Sequence, residues 1–281
     1  MNALFPGASV TASEGVKTQA SVVHVEPLWA RAAARPDAVD VGECQARAHL
    51  FRLLAGAFAE EPSRDYLQAL RQPESLAALA EAGLDFDADF LQPPLAQLAD
   101  ELACEFATLL AAPGGCPPVE SARLAGRYQQ QPYFEVKEAY RAAGFAVQRG
   151  RFEVFDDALG VELLFVAALL DRIVAAQAEG DVAQQVKAEK TLKRFWVQHL
   201  GRWARGYATL VMRATDHSFY REMARLLHEL AGDEIIRLAL RVEDADGGRE
   251  NVPKSEVAVL FNPDEPVCGA CEHGLQPAPV C

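Results

Sequence analysis

Apolar residues recur at three- and four-residue spacing through most of this chain, and β-branched residues are sparse. That period is the mark of amphipathic helices sharing one core, so an all-α fold is predicted. The first such segment covers about 40–59. There Cys44, Ala48, Phe51, Leu54, Ala55 and Phe58 share a face, and Pro62 stops the pattern. Short helices over 64–71 and 73–81 come next. Gly83 and the acids Asp85, Asp87 and Asp89 read as a solvated turn, because the glycine and terminal glutamate of a calcium loop are missing. A helix over 91–110 ends at Pro113, Gly114 and Gly115. Another, over 132–143, has Pro132 near its first position and Gly144 past its end.

Residues 159–170 are apolar all round except for Glu162, so this helix must lie inside a bundle. Asp156 and Asp157 stand where a carboxylate would accept the free N–H groups of its first turn. An acidic helix start beside a buried helix suits a ligand that is positive at one end and greasy along its length. Gly180 and Asp181 mark a turn, after which 182–214 reads as one long helix bent at Gly201 or Gly206. Phe195, His199, Leu200, Trp203 and Tyr207 form a stripe along it; such stripes pack cores more often than they line sites. Helices over 219–227 and 233–242 complete the pattern. Residues 1–38 hold too few large apolar groups to offset their ordering entropy and read as a flexible arm. The helical domain then spans 39–243, and 244–281 is a polar, Gly/Pro-rich flexible tail containing cysteines.

Half of the 281 residues are hydrophobic, enough for a large core. The net charge of −13 repels phosphates, so neither nucleic acid nor an anionic membrane is an expected partner. The same surplus also serves plain solubility. No stretch is apolar enough to span a bilayer and the first residues carry no export signal, so a cytoplasmic location is expected. Scattered cysteines agree with a reducing compartment. Cys268, Cys271 and His273, with Cys281, have the residue types and half the spacing of a soft-metal site. No second half matches them, and loose thiols are the alternative. No catalytic residues are expected. A hydrolase reading would rest only on paired acids with His199, without a nucleophile motif.

Several segments resemble, in order, the TorD/DmsD/NarJ-like assembly chaperones of molybdenum enzymes. Phe51-Arg52-Leu53-Leu54-Ala55-Gly56-Ala57-Phe58 is similar to the family's opening helix. Cys104-Glu105-Phe106-Ala107-Thr108-Leu109-Leu110 is similar to its Glu-aromatic-x-x-Leu-Phe segment, and Pro117-Pro118-Val119-Glu120-Ser121 to its Pro-Pro-aromatic-Glu-Ser loop. Glu153-Val154-Phe155-Asp156-Asp157, then Leu159-Gly160-Val161-Glu162-Leu163-Leu164-Phe165, is similar to the family's Glu-x-Pro-Asp-His and Leu-Gly-x-Glu-Leu-x-Phe, with Phe155 for proline and Asp157 for histidine. Phe195, His199, Leu200 and Trp203 match Phe-x-x-x-His-Leu-x-x-Trp, and Phe219-Tyr220 opens the last similar helix. The resemblance covers about 43–240 and implies a single TorD-like helical bundle.

It also implies a function. Such a chaperone binds the immature catalytic subunit of an exported molybdopterin oxidoreductase, often by its twin-arginine signal peptide. It holds no stable cofactor of its own but assists insertion of bis-molybdopterin guanine dinucleotide into the client before export. Glu153, Asp156, Asp157 and Glu162 would take the leader's guanidiniums. Leu163, Trp203 and Tyr207, with His199, would edge an apolar trough, and Glu120 and Ser121 would either cap the next helix or stand on the groove's rim. The alternative is a helical accessory subunit or scaffold that stays bound to the mature complex.

Overall fold

The computed structural model describes residues 40–147 and 155–257. Among these, eleven α-helices carry the chain: α1 (Val41–Phe58), α2 (Arg64–Leu70), α3 (Pro73–Glu81), α4 (Ala88–Leu91), α5 (Leu95–Phe106), α6 (Glu120–Ala125), α7 (Gln131–Ala142), α8 (Leu159–Glu179), α9 (Val182–Gln198), α10 (Ala204–Ala214) and α11 (Ser218–Arg237). The predicted all-α fold is the observed one.

Local chemistry explains the boundaries. The Asp40 carboxylate accepts from Glu43 N at 3.0 Å to start α1, and Ser63 Oγ accepts from Tyr66 N at 3.2 Å to start α2. Pro94 precedes α5, so the helix predicted over 91–110 starts only at Leu95, after the short α4 that ends at Leu91; α5 then widens into a π-turn, Ala107–Ala111. Gly180 ends α8 in the left-handed conformation, and Asp181 caps α9 by accepting from Gln184 N at 3.0 Å. The expected long helix over 182–214 is two helices. His199 leaves helical geometry and a 3₁₀ turn, Leu200–Arg202, separates α9 from α10. The two helices expected over 219–227 and 233–242 are one, α11, which absorbs Gly232.

The core is built on α8. Leu163, Val166, Ala167 and Leu170 are fully buried, with α1 along one side and α9 along another. A Cβ on Gly160 would lie 2.4 Å from Ala59 Cβ, so only glycine lets α8 and α1 approach this closely. Phe51, Phe58, Trp196, Trp203, Tyr207 and Tyr220 fill the interior, each stabilising by a few kcal/mol through removal from water (about 1.5–3 kcal/mol for a large apolar side chain). Arg47 of α1 makes two 2.5 Å bonds to the Glu234 carboxylate of α11, locking those helices together.

Packing continues past residue 243, into the span expected to be a flexible tail. Asp246 is 1% exposed and pairs with buried Arg123 of α6: Nε–Oδ2 is 2.7 Å and Nη2–Oδ1 is 3.1 Å. Gly206 of α10 permits this, since a Cβ there would meet Gly247 N at 2.6 Å. The strap over 244–250 therefore belongs to the bundle. The predicted arm over 1–38 and the cysteines of the tail lie outside the described residues.

Candidate functional site

Two distant segments clasp each other at the centre of the chain. Val119 and Ala158 form an isolated antiparallel bridge. Glu120 N donates to Asp157 O at 2.9 Å, and Leu159 N donates to Pro118 O at 2.8 Å. The proline-rich run keeps 117–119 extended, so it can pair with the residues just ahead of α8. Asp157 then caps a helix, but not its own. Its Oδ2 accepts from Ser121 N at 2.8 Å in the first turn of α6, whereas α8 starts from Ala158 without a side-chain cap.

Around this clasp three acids and a histidine meet inside the core. Glu120, Asp157 and Glu162 have no exposed surface, and His199 is 2% exposed. His199 Nδ1 donates to Glu120 Oε2 over 3.1 Å, and Trp203 Nε1 donates to Glu162 Oε2 over 3.3 Å. Glu120 Oε1, Asp157 Oδ1, Glu162 Oε1 and Ser121 Oγ are buried with no hydrogen-bond partner. Burial pushes the Asp157 carboxyl up to about 6, with the Glu120 charge adding and the Ser121 bonds opposing. Burial, then the charges of Glu120 and Asp157, hold the Glu162 carboxyl well above the usual range, against the Trp203 bond. The surroundings of Glu162 thus favour its protonated form over the carboxylate. Such a cluster ties α6, α8, α9 and α10 together.

This overturns the expected open notch. Glu120, Ser121, Asp157 and Glu162 cannot meet a client's guanidiniums, because no part of them reaches solvent. Leu163, Trp203 and Tyr207 are likewise fully buried and His199 nearly so, so they are core and not a trough. Tyr207 donates its hydroxyl to Cys116 O at 3.0 Å, tying α10 to the loop before α6. The periodic stripe reads correctly as packing. Its groove-edge reading fails because α7, α8 and α11 cover it. Glu153 lies outside the described residues, as do Cys268, Cys271, His273 and Cys281. Among the described residues no group of His, Cys, Asp or Glu is placed to hold a metal.

Of the predicted acids in the described region, Asp156 alone reaches an opening. It lines a cavity of about 590 Å³ with Tyr133, Lys137, Tyr140, Phe145 and Phe155 among its walls. Phe155 stacks on Tyr128 at 4.9 Å between ring centroids and meets Tyr133 edge-on at 6.5 Å. The buried Tyr140 hydroxyl donates to Asp156 O at 3.0 Å, which holds that residue's backbone at the groove. The mostly covered Asp156 carboxylate faces the half-exposed Lys137 Nζ at 3.9 Å, a long and weak pair that an incoming cation could replace. Tyr133, Lys137, Tyr140 and Arg141 form a stripe on α7 that sequence reading passes over. Its i, i+4, i+7 spacing is the available signal.

The family model described as the nitrate reductase delta subunit matches residues 74–208. The matched span includes α7, the clasp, the buried acid cluster and the aromatic groove. No curated protein matches the chain.

Proposed function

Through residues 74–208 the chain belongs to the nitrate reductase delta subunit family, a TorD/NarJ-like family of molybdoenzyme assembly chaperones, and from that membership we propose how it grips its client. It binds an immature molybdopterin-containing catalytic subunit in the cytoplasm, by the twin-arginine leader, and holds it while the cofactor is inserted. It catalyses no reaction and keeps no cofactor itself. Among the described residues no helix is long and apolar enough to cross a membrane.

The observation that carries this reading is the aromatic groove with a carboxylate at its side. The apolar part of a leader lies on Tyr133, Phe145 and Phe155, and a guanidinium displaces Lys137 from Asp156. The buried Glu120–His199 and Glu162–Trp203 contacts act one layer deeper. They keep α8 and the Asp156–Ala158 segment registered against α6, so the groove's wall stays in place. Calorimetry with the full-length chain and a synthetic twin-arginine leader tests this. Tyr133→Ala or Phe155→Ala should weaken binding about tenfold, the equivalent of one lost aromatic contact. Replacing both leader arginines by lysine should weaken it further. Equal affinity for native and groove variants would move the client elsewhere.

A further inference from the structure

A second cavity lies on the other side of α7. It holds about 410 Å³ and is walled by Ala139, Ala142 and Ala143 of α7 and by residues of α9 from Ala183 to Gln198. Helical periodicity puts those alanines on the face opposite Tyr133, Lys137 and Tyr140, and no described residue lines both cavities. The wall along α9 is about 22 Å long, so the space is an elongated cleft and not a round pocket.

Its charge is of one sign. Lys187, Lys190 and Arg194 line the cleft and no described carboxylate does. At 3.6 residues per turn the three cations fall on one narrow stripe, with rises of about 4.5 Å and then about 6 Å along the axis. All three are exposed, and among the described residues none has an ion-pair partner. Glu189, the one acid of α9, is on another face and accepts from Gln185 Nε2 at 2.8 Å. Three of the chain's six lysines fall within residues 187–193, although the whole chain carries a net charge of −13. A concentration of unpaired cations on so acidic a protein attracts a negative partner to this one place.

The shape selects the kind of anion. A compact phosphate group needs cations that converge on one point, whereas these are strung along a line. The alanines of α7 let another backbone come close, and Val186 and the buried Phe195 supply apolar surface beside the cations. A helix laid along α9 with carboxylates at i, i+3 and i+7 repeats the same two rises, so each carboxylate meets one cation. We propose that the α7–α9 cleft docks an acidic amphipathic helix of a protein partner, with its carboxylates on Lys187, Lys190 and Arg194 and its small or apolar residues against α7. The aromatic cavity stays free, because the docked helix uses the opposite face of α7, and the proposal does not rest on leader binding.

Calorimetry on the full-length chain tests it with a capped, stapled peptide of alanine and leucine carrying glutamates at i, i+3 and i+7. The peptide should bind, and added salt should weaken it. Lys187→Gln with Arg194→Gln should reduce affinity about tenfold, the equivalent of two lost surface pairs, with helix content unchanged by circular dichroism. Ala142→Phe fills the α7 wall without touching a charge and should also reduce affinity. No binding at about 1 mM peptide overturns the proposal. Equal binding of a peptide of the same composition with its glutamates spread around the helix removes the helical register and overturns it too. Tighter binding of inorganic tripolyphosphate would make the cleft a phosphate site instead. Unchanged affinity in Ala142→Phe would place the peptide outside the cleft.

Discussion

Asp157 decides between an acid that meets clients and an acid that shapes the core. Its carboxyl titrates near 6 in the fold, against an ordinary value of 3.8. The protonated form is therefore the one the fold favours. The stability this group contributes is fully present below 3.8 and is lost as pH rises through about 6. Each pH unit between those values is worth about 1.4 kcal/mol, so the ionised carboxylate destabilises the fold by about 3 kcal/mol at pH 7.5. Lowering the pH from 7.5 to 5.0 should recover about 1.4 kcal/mol from this residue alone.

Asp157→Asn tests this. The amide oxygen still accepts from Ser121 N, so the cap on α6 is kept while the titration is removed. Urea unfolding of both proteins at the two pH values gives four free energies. The native chain should gain about 1.4 kcal/mol more than the variant on acidification. Other titrating groups, such as Glu234, cancel in that comparison, and relief of Glu162 in the variant acts in the same direction. Client affinity should not change. Matching pH dependence in the two proteins, or a variant that folds normally but loses its client, would refute the buried assignment.

Asp156→Ala is the complementary change: stability should shift by less than about 1 kcal/mol, since its pair with the half-exposed Lys137 is long at 3.9 Å, while leader affinity falls about tenfold by calorimetry. Asp246→Ala should cost about 3 kcal/mol in urea unfolding by leaving the Arg123 guanidinium with carbonyl partners only; native-like stability would mean that the strap is not part of the bundle. Gly160→Val places a side chain where Ala59 already stands and should destabilise by about 3 kcal/mol or prevent folding, read by the thermal midpoint. Purified mature enzyme from the native host should contain none of this chain, because a chaperone releases its client; a stoichiometric band would favour the accessory-subunit reading.

Helical class, most helix starts and stops, and the inward face of the Phe195–Tyr207 stripe were legible in the sequence, because each depends on residues within a few positions of one another. Asp40, Ser63, Gly144 and Gly180 act on their own neighbouring backbone, and that chemistry is printed locally. The identity of the acids was legible as well; their environment was not. Asp157 looks like a solvent-facing cap until Ser121, 36 residues earlier, is brought to its carboxylate. Glu120 meets His199 across 79 positions, and Arg123 meets Asp246 across 123. Desolvation is a sum over everything packed around a group, so it has no local signature. The alternation of apolar and polar residues determined that this chain is a helical bundle with an acidic surplus. Only the packing of α6, α7 and α9 around α8 decided which carboxylates vanish into the core and that, among the described residues, Asp156 is left beside the aromatic cavity.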